Sequence, residues 1–312
     1  MDITHAVVDL AYAIRTALTP HLGHQSSKQF TGKTSSGDES FAIDEVAEQV
    51  IEEFIRERGL PVAYYTEGCG LVETRNAEHL LVIDPIDGSR PAMHGFEACV
   101  VSIAVAPNLP DARMSDVTFG LILELKTDRL FTAHRDGPAR IRAGDAEVPV
   151  LLTSTTELDS CSWSFEVAGR PFGATAQVLS SLVNKSSLRG GVFVFSSTAF
   201  SLTRLVTGQL DAVVDVGNRV FRECPHLRGQ FLQAGLGSVM GLFPYDIAAA
   251  VLIAQRAGCT VTDAYGNSLD STFLLDTSEQ NIRSCLGASN SVLHEKLLAQ
   301  IEQGMRGITS AV

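Results

Sequence analysis

The stretch Asp84-Pro85-Ile86-Asp87-Gly88-Ser89 places two carboxylates and a hydroxyl at the end of the apolar run Leu80-Leu81-Val82-Ile83, where the backbone is predicted to turn. Carboxylates held that close repel one another and resist burial, so a fold keeps them together mainly where a cation neutralises both. The stretch contains no His or Cys, and an oxygen-only donor set favours a hard ion, Mg²⁺ above all, with Mn²⁺ as a substitute. Mg²⁺ in proteins usually keeps several waters and shares its shell with phosphate. The pattern points to metal-assisted chemistry on a phosphate.

Two further acids stand in similar settings. Glu67 closes the β-rich run Val62-Ala63-Tyr64-Tyr65-Thr66, and Asp246 opens a helical run, Ile247 to Ala257, that stops at Gly258. Each acid also has a purely structural explanation: Asp is a favoured N-cap that complements the helix dipole, and Asp-Pro and Asp-Gly are ordinary turn dipeptides. Gly88 fits a plain turn too. Its lack of a Cβ would equally let the N–H groups of Gly88 and Ser89 approach a phosphate.

Asp84 to Phe96 resembles the Asp-Pro-Ile-Asp-Gly-Thr/Ser signature of the inositol monophosphatase superfamily, which includes archaeal-type fructose-1,6-bisphosphatases and nucleotide 3′-phosphatases. Pro244-Tyr245-Asp246-Ile247-Ala248-Ala249 resembles its second signature, usually Trp-Asp-x-Ala-Ala-Gly. Lys33 and Gly37 to Asp44 look like the family's early segment, while Ser196-Ser197-Thr198-Ala199, Gly208 to Asp211 and Asp215 fall where it has a sugar-contacting loop, a Gly-x-x-Asp turn and an acidic substrate ligand. The order of these elements makes the signal more specific than any single motif. Departures are visible: Gly68 stands where the family has a second Glu, Pro91 where it has Asn, Ala250 where it has Gly and Arg256 where it has Glu.

The resemblance implies a lithium-sensitive, Mg²⁺-dependent phosphoric monoester hydrolase acting on an inositol phosphate, sugar phosphate or sugar bisphosphate. Two or three ions are implied: one on Glu67, Asp84 and the Ile86 carbonyl, with a water as nucleophile, and another on Asp84, Asp87 and Asp246, facing the leaving oxygen. Asp44 would orient the Ser89 hydroxyl, which helps take the proton from the attacking water, so the implied catalytic group is Asp44, Glu67 and Ser89. Gly88, Ser89, Arg90, Ser197, Thr198, Ala199 and Asp215 are the implied substrate contacts. Arg90 and His94 could meet a second anionic group or simply face solvent, and His226 and Arg228 could approach the same mouth. A nucleotide 3′-phosphatase is the alternative within the family. Because Gly68 removes an acid, a catalytically impaired metal- or phosphate-binding protein is the alternative outside it.

The elements that must position these residues are readable from periodicity. Helical spacing covers 5–18 and 44–58, and strand-like runs follow at 61–66, 80–84, 98–106, 117–124 and 129–133. Two helices are thus expected before the first strand. The second half alternates: strand 161–167, helix 172–184, strand 192–195, helix 198–207, strand 211–216, helix 246–257, strands 259–263 and 284–288, and helix 290–304. Alternation of this kind predicts a layered α/β architecture. The resemblance makes it an α-β-α-β-α sandwich of the sugar phosphatase type, usually dimeric. A loop at 136–148 is the expected boundary between an N-terminal half, 1–145, carrying most metal ligands and a C-terminal half, 146–312, carrying Asp246 and the substrate loops.

The whole-chain numbers narrow the function classes. With 312 residues, 45% hydrophobic and 19% charged, the chain can bury a substantial core. Its formal net charge of −12, without a Lys/Arg cluster, argues against nucleic acid or anionic membrane as partner and against a nuclease groove. Cysteines at 69, 99, 161, 224, 259 and 285 form no Cys-x-x-Cys pair, and an acidic start runs directly into an amphipathic helix. Together these lead to the expectation of a cytoplasmic enzyme with free thiols and a small phosphate ester as its partner.

Overall fold

Helix α1 (Ile3–Leu18) buries Leu10, Ile14 and Leu18 at helical spacing. The computed structural model describes residues 2–34 and 37–309; positions 1 and 312, the outer ends of the two expected halves, lie outside the described residues. A hairpin of β1 (Phe30–Lys33) and β2 (Glu39–Phe41) follows, so the expectation of two helices before the first strand is corrected. Helix α2 (Ala42–Arg58) then packs against α1. The hairpin escapes a periodicity reading because its strands are short and bury neither face fully.

Next come β3 (Val62–Thr66), β4 (Gly70–Val72), β5 (His79–Asp87), the short α3 (Ser89–His94), β6 (Val100–Pro107), β7 (Phe119–Glu124), β8 (Arg129–His134), β9 (Arg140–Ala143) and β10 (Ala146–Val148). They form an eight-stranded sheet ordered β10-β9-β8-β7-β6-β5-β3-β4. The segment expected as a loop is therefore largely the hairpin β9–β10, and residues 145 and 146 fall where its turn meets β10.

The remainder comprises β11 (Ser162–Phe165), α4 (Phe172–Ser186), β12 (Gly191–Phe193), α5 (Thr198–Val206), β13 (Ala212–Asp215), α6 (Gly217–Glu223), α7 (Arg228–Ala234), α8 (Pro244–Ala257), β14 (Thr260–Thr262), β15 (Cys285–Ala288) and α9 (Ser291–Thr309). Its strands make a five-stranded sheet ordered β12-β11-β13-β15-β14. Helices α1 and α2 cover the outer face of the large sheet, α5 and α8 fill the space between the sheets, and α4 and α9 cover the far face. This is an α-β-α-β-α arrangement. Helix α8 is buried from Ile247 to Ala254 because a sheet lies on each side of it, which explains a helix apolar all round.

Strand β5 carries the site. Its Leu80 and Val82 face the middle layer while Leu81 and Ile83 face α1 and α2. The strand does not end at Asp84 as the sequence suggests: it continues to Asp87 through a register shift in which Asp84 pairs with Ser102 and Asp87 with Val100. That bulge reverses the alternation, so Ile86 joins Ile83 on the α1/α2 side. Asp84 and Asp87, three positions apart in the chain, thereby turn toward the same middle layer instead of opposite faces.

Candidate active site

Carboxylate oxygens of Asp84, Asp87 and Asp246 lie within 4.8 Å of one another. Two are buried on β5, and the third, partly buried, comes from the first turn of α8. Helix α8 starts at Pro244, so Asp246 occupies its third position rather than the cap; its Oδ2 accepts the Phe243 N–H at 2.6 Å. The Asp84 Oδ1 accepts the Ile86 N–H at 3.0 Å. Asp87 Oδ2 accepts the Ser197 hydroxyl at 2.8 Å and the Ala199 N–H at 2.5 Å, where α5 begins.

Glu67 follows β3 directly. The parallel register Thr66 to Ile83 brings it beside Asp84 at the strand ends, and it lines the same cleft. Burial is the main force raising all four carboxyls: Glu67 and Asp84 rise well above the usual carboxylate range, with Asp246 and Asp87 respectively as their leading acidic neighbours. Asp246 is raised well by burial and by Asp87. Asp87 is pushed up to about 6, less than burial alone would give, because the Ser197 hydroxyl and the α5 N–H groups stabilise its charged form.

The Ser89 hydroxyl lies 3.1 Å from Asp44 Oδ1 and 3.1 Å from the Ile86 carbonyl oxygen. Asp44 sits in the first turn of α2, its Oδ2 accepting the Phe41 N–H at 2.8 Å, and burial pushes its carboxyl up to about 6. Gly88 has φ 93, and a Cβ there would collide with the Ala98 carbonyl oxygen, so the turn after Asp87 requires glycine twice over. The space that a side chain at Gly68 would enter belongs to Glu48, whose Oε1 accepts the Gly68 N–H at 3.1 Å. Cys69, the next residue, is pushed up to about 11 by desolvation and by Glu48, which keeps it a thiol.

The other expected contacts are placed as follows. Arg90 lines the cleft with its guanidinium 3.1 Å from Asp38. Asp215, buried at the end of β13, is ion-paired with Arg170 and accepts the Gly217 N–H at 2.7 Å. Ser197 and Thr198 line the cleft. His94 turns to the Arg90 carbonyl and stacks on Phe96. Arg228 is held by Glu279 at 2.8 Å, and neither it nor His226 lines the cleft, which corrects their expected approach to the mouth.

Sequence reasoning missed two groups here. Glu166 and Arg170 line the cleft from the end of β11, parallel to β13, and the signal was a charged pair closing an apolar strand; the expected strand 161–167 absorbed Glu166. The turn after α7 supplies Leu236, Met240 and Leu242 as an outer wall, and Lys33 Nζ reaches the Leu236 carbonyl at 2.8 Å. No short motif announces that wall.

The donor set fits a hard divalent cation. It offers oxygen only, and no ion pair joins Asp84, Asp87 or Asp246 to a Lys or Arg among the described residues; Arg170 acts on Asp246 only through space.

The chain belongs to the inositol monophosphatase family, whose profile matches residues 2–306. That family is metal-dependent and acts on small phosphate substrates. A relative from Methanothermobacter thermautotrophicus, named fructose-1,6-bisphosphatase/inositol-1-monophosphatase, is 24% identical over 95% of this chain and 95% of its own length. The bifunctional NADP phosphatase/NAD kinase of Methanococcus maripaludis is 23% identical over 96% of this chain, which spans 49% of that protein. Among solved structures, an IMPase from Thermotoga maritima superposes with a TM-score of 0.72 over 99% of this chain and 100% of its own, at 19% identity, a likeness of fold. No helix among the described residues is long and apolar enough to cross a membrane.

Proposed function

We propose that the protein is a Mg²⁺-dependent phosphatase that hydrolyses a small phosphate monoester, an inositol phosphate, sugar phosphate or sugar bisphosphate. The observation that carries this reading is the convergence of Asp84, Asp87 and Asp246 within 4.8 Å at the meeting of both sheets and the first turns of α5 and α8. Glu67, Asp84, the Ile86 carbonyl, Asp87 and Asp246 would hold two Mg²⁺ ions. Bound there, the ions neutralise phosphoryl oxygens and lower the pKa of water.

The chain's own groups supply the rest. Deprotonated Asp44 draws on the Ser89 hydroxyl, which is then set to take a proton from the attacking water. The N–H groups of Gly88 and Ser89 would face phosphoryl oxygen. Ser197 and Ala199 fix the Asp87 carboxylate. Thr198 and Arg90, which line the cleft, would border the space left for the alcohol part of the ester, and Asp215, buried against Arg170, would act there through that lining guanidinium. A cytoplasmic homodimer completes the reading, and sedimentation velocity tests the oligomeric state.

A nucleotide phosphatase is the second reading, supported by the NADP phosphatase named among the relatives. Phosphate release from a panel of inositol, sugar and nucleotide phosphates, with Mg²⁺ and with excess EDTA, separates the readings. Turnover should require the metal, and Asp87→Asn should lower kcat by orders of magnitude with folding retained. Full activity in EDTA refutes the metal reading. No turnover of any ester leaves a binding protein.

A further inference from the structure

Glu166 is the buried titratable group in the cleft that the phosphatase reading leaves without a role. It follows β11 and donates its N–H to the Val214 carbonyl at 3.3 Å, so it stands at the strand ends of the smaller sheet. The residue is 5% exposed, and its Oε1 has no hydrogen-bond partner among the described residues. A desolvated carboxyl left unsatisfied is disfavoured, and a catalytic role is one of the reasons a fold keeps such a group.

Its position relative to Asp44 is informative. A second cavity, of about 340 Å³, is lined by Asp44, Glu67, Asp84, Ile86 and Ser89 but not by Glu166, whereas Glu166 lines the first cleft, which Asp44 does not. Glu67, Asp84, Ile86 and Ser89 border both spaces. The acidic cluster therefore has Asp44 on one flank and Glu166 on the other, with Ser89 bordering both spaces. An in-line displacement needs a proton acceptor on the side of the attacking water and a donor on the side of the departing oxygen.

The charged groups facing Glu166 are Arg170 from the loop after β11, Asp215 from β13 and Asp87 from β5. Arg170 is committed to Asp215 and to the Ala168 carbonyl. Burial first, then the two acids, outweigh Arg170 and push the Glu166 carboxyl up to about 8.

We propose that Glu166 donates the proton to the leaving oxygen in the hydrolysis of an alkyl phosphate, an inference that rests on the phosphatase reading. As the bond from the attacking water's oxygen to phosphorus forms, the ester P–O bond breaks and its electron pair passes to the leaving oxygen. The Glu166 proton joins that oxygen to make the free alcohol. The proton lost by the water passes toward Ser89 and Asp44, and solvent reprotonates Glu166.

The test compares kcat/KM for glycerol 2-phosphate, whose alkoxide needs a proton, with p-nitrophenyl phosphate, whose phenolate leaves without one, both with Mg²⁺. Glu166→Gln should lose roughly 10²- to 10⁴-fold on the first and under about threefold on the second. The alkaline fall of the alkyl-ester pH profile should vanish with it. Equal losses on both esters, or none, overturn the proposal while the phosphatase reading stands. Turnover of no phosphate ester by the parent chain overturns that reading, and the proposal with it. Should the variant not fold, a series of aryl and alkyl phosphates with the parent enzyme decides. A shallow dependence on leaving-group pKa supports the proton donor and a steep one overturns it.

Discussion

Ser89 is held by both the Asp44 carboxylate and the Ile86 carbonyl, each at 3.1 Å, so its hydroxyl has little freedom even without the methyl that a Thr would add. Ser89→Ala should lower kcat by about 10²- to 10⁴-fold while the melting temperature stays near that of the parent, and Ser89→Thr should keep most activity. In the proposed role, Asp44 would act as a base only when ionised. With its carboxyl pushed up to about 6 by burial, kcat should rise with pH through that region and fall below it. A pH profile without an acid limb would remove Asp44 from the chemistry. Arg90 belongs to a different energetic class, because its pair with Asp38 is half-exposed and such pairs contribute about 0–1 kcal/mol. Arg90→Ala should thus leave stability nearly unchanged and raise KM for a bisphosphate more than for a monophosphate. Equal KM effects would deny it a second anionic contact.

At the scale of elements, the bulge in β5 converts a three-residue spacing into a shared face, and Gly88 then turns the chain where a Cβ cannot fit. Gly88→Ala forces both a left-handed backbone and a clash with Ala98, so it should destabilise by about 1–3 kcal/mol or shift the Ser89 turn. A parent-like melt together with parent-like kcat would show the turn to be plastic. The acids of this region were legible in the sequence because carboxylates at the ends of apolar runs are conspicuous. So were nearly all the long strands and helices, whose apolar periodicity reports burial directly. The bulge was not legible, since Asp84-Pro85-Ile86-Asp87 reads as a turn when the partner Val100–Ser102 is not in view. Nor were the β1–β2 and β9–β10 hairpins, whose residues are largely exposed and carry no strong pattern. Glu166 and Arg170 stayed hidden for another reason: only the parallel register of β11 with β13 sets them beside Asp215.

For the whole molecule, a formal charge of −12 sits on a fold that brings several of its acids together where its two sheets meet. Burial holds the folded-state pKa of Asp87 up at about 6 against an ordinary 3.8, and raises Glu67, Asp84 and Asp246 well above their usual values. Between the unfolded and folded values the folded chain binds more protons than the unfolded one. The metal-free protein is therefore relieved of the repulsion at low pH, and these groups lower its stability as pH rises from about 4 through 6 and beyond. Mg²⁺ should reverse the trend, since under the proposed reading it would bind the ionised cluster and add about 2.7 kcal/mol per site at 100 times Kd. Melting curves in EDTA should accordingly fall between pH 5 and pH 8, whereas the gain on adding Mg²⁺ should grow over the same interval. Asp84→Asn removes the acid that the proposed reading shares between both ions, so it should melt as high as the parent in EDTA or slightly higher and lose most of the Mg²⁺ gain. If the variant instead melts much lower in EDTA and still gains fully from Mg²⁺, Asp84 serves the β5 bulge through its bond to the Ile86 N–H, and the cation is held elsewhere.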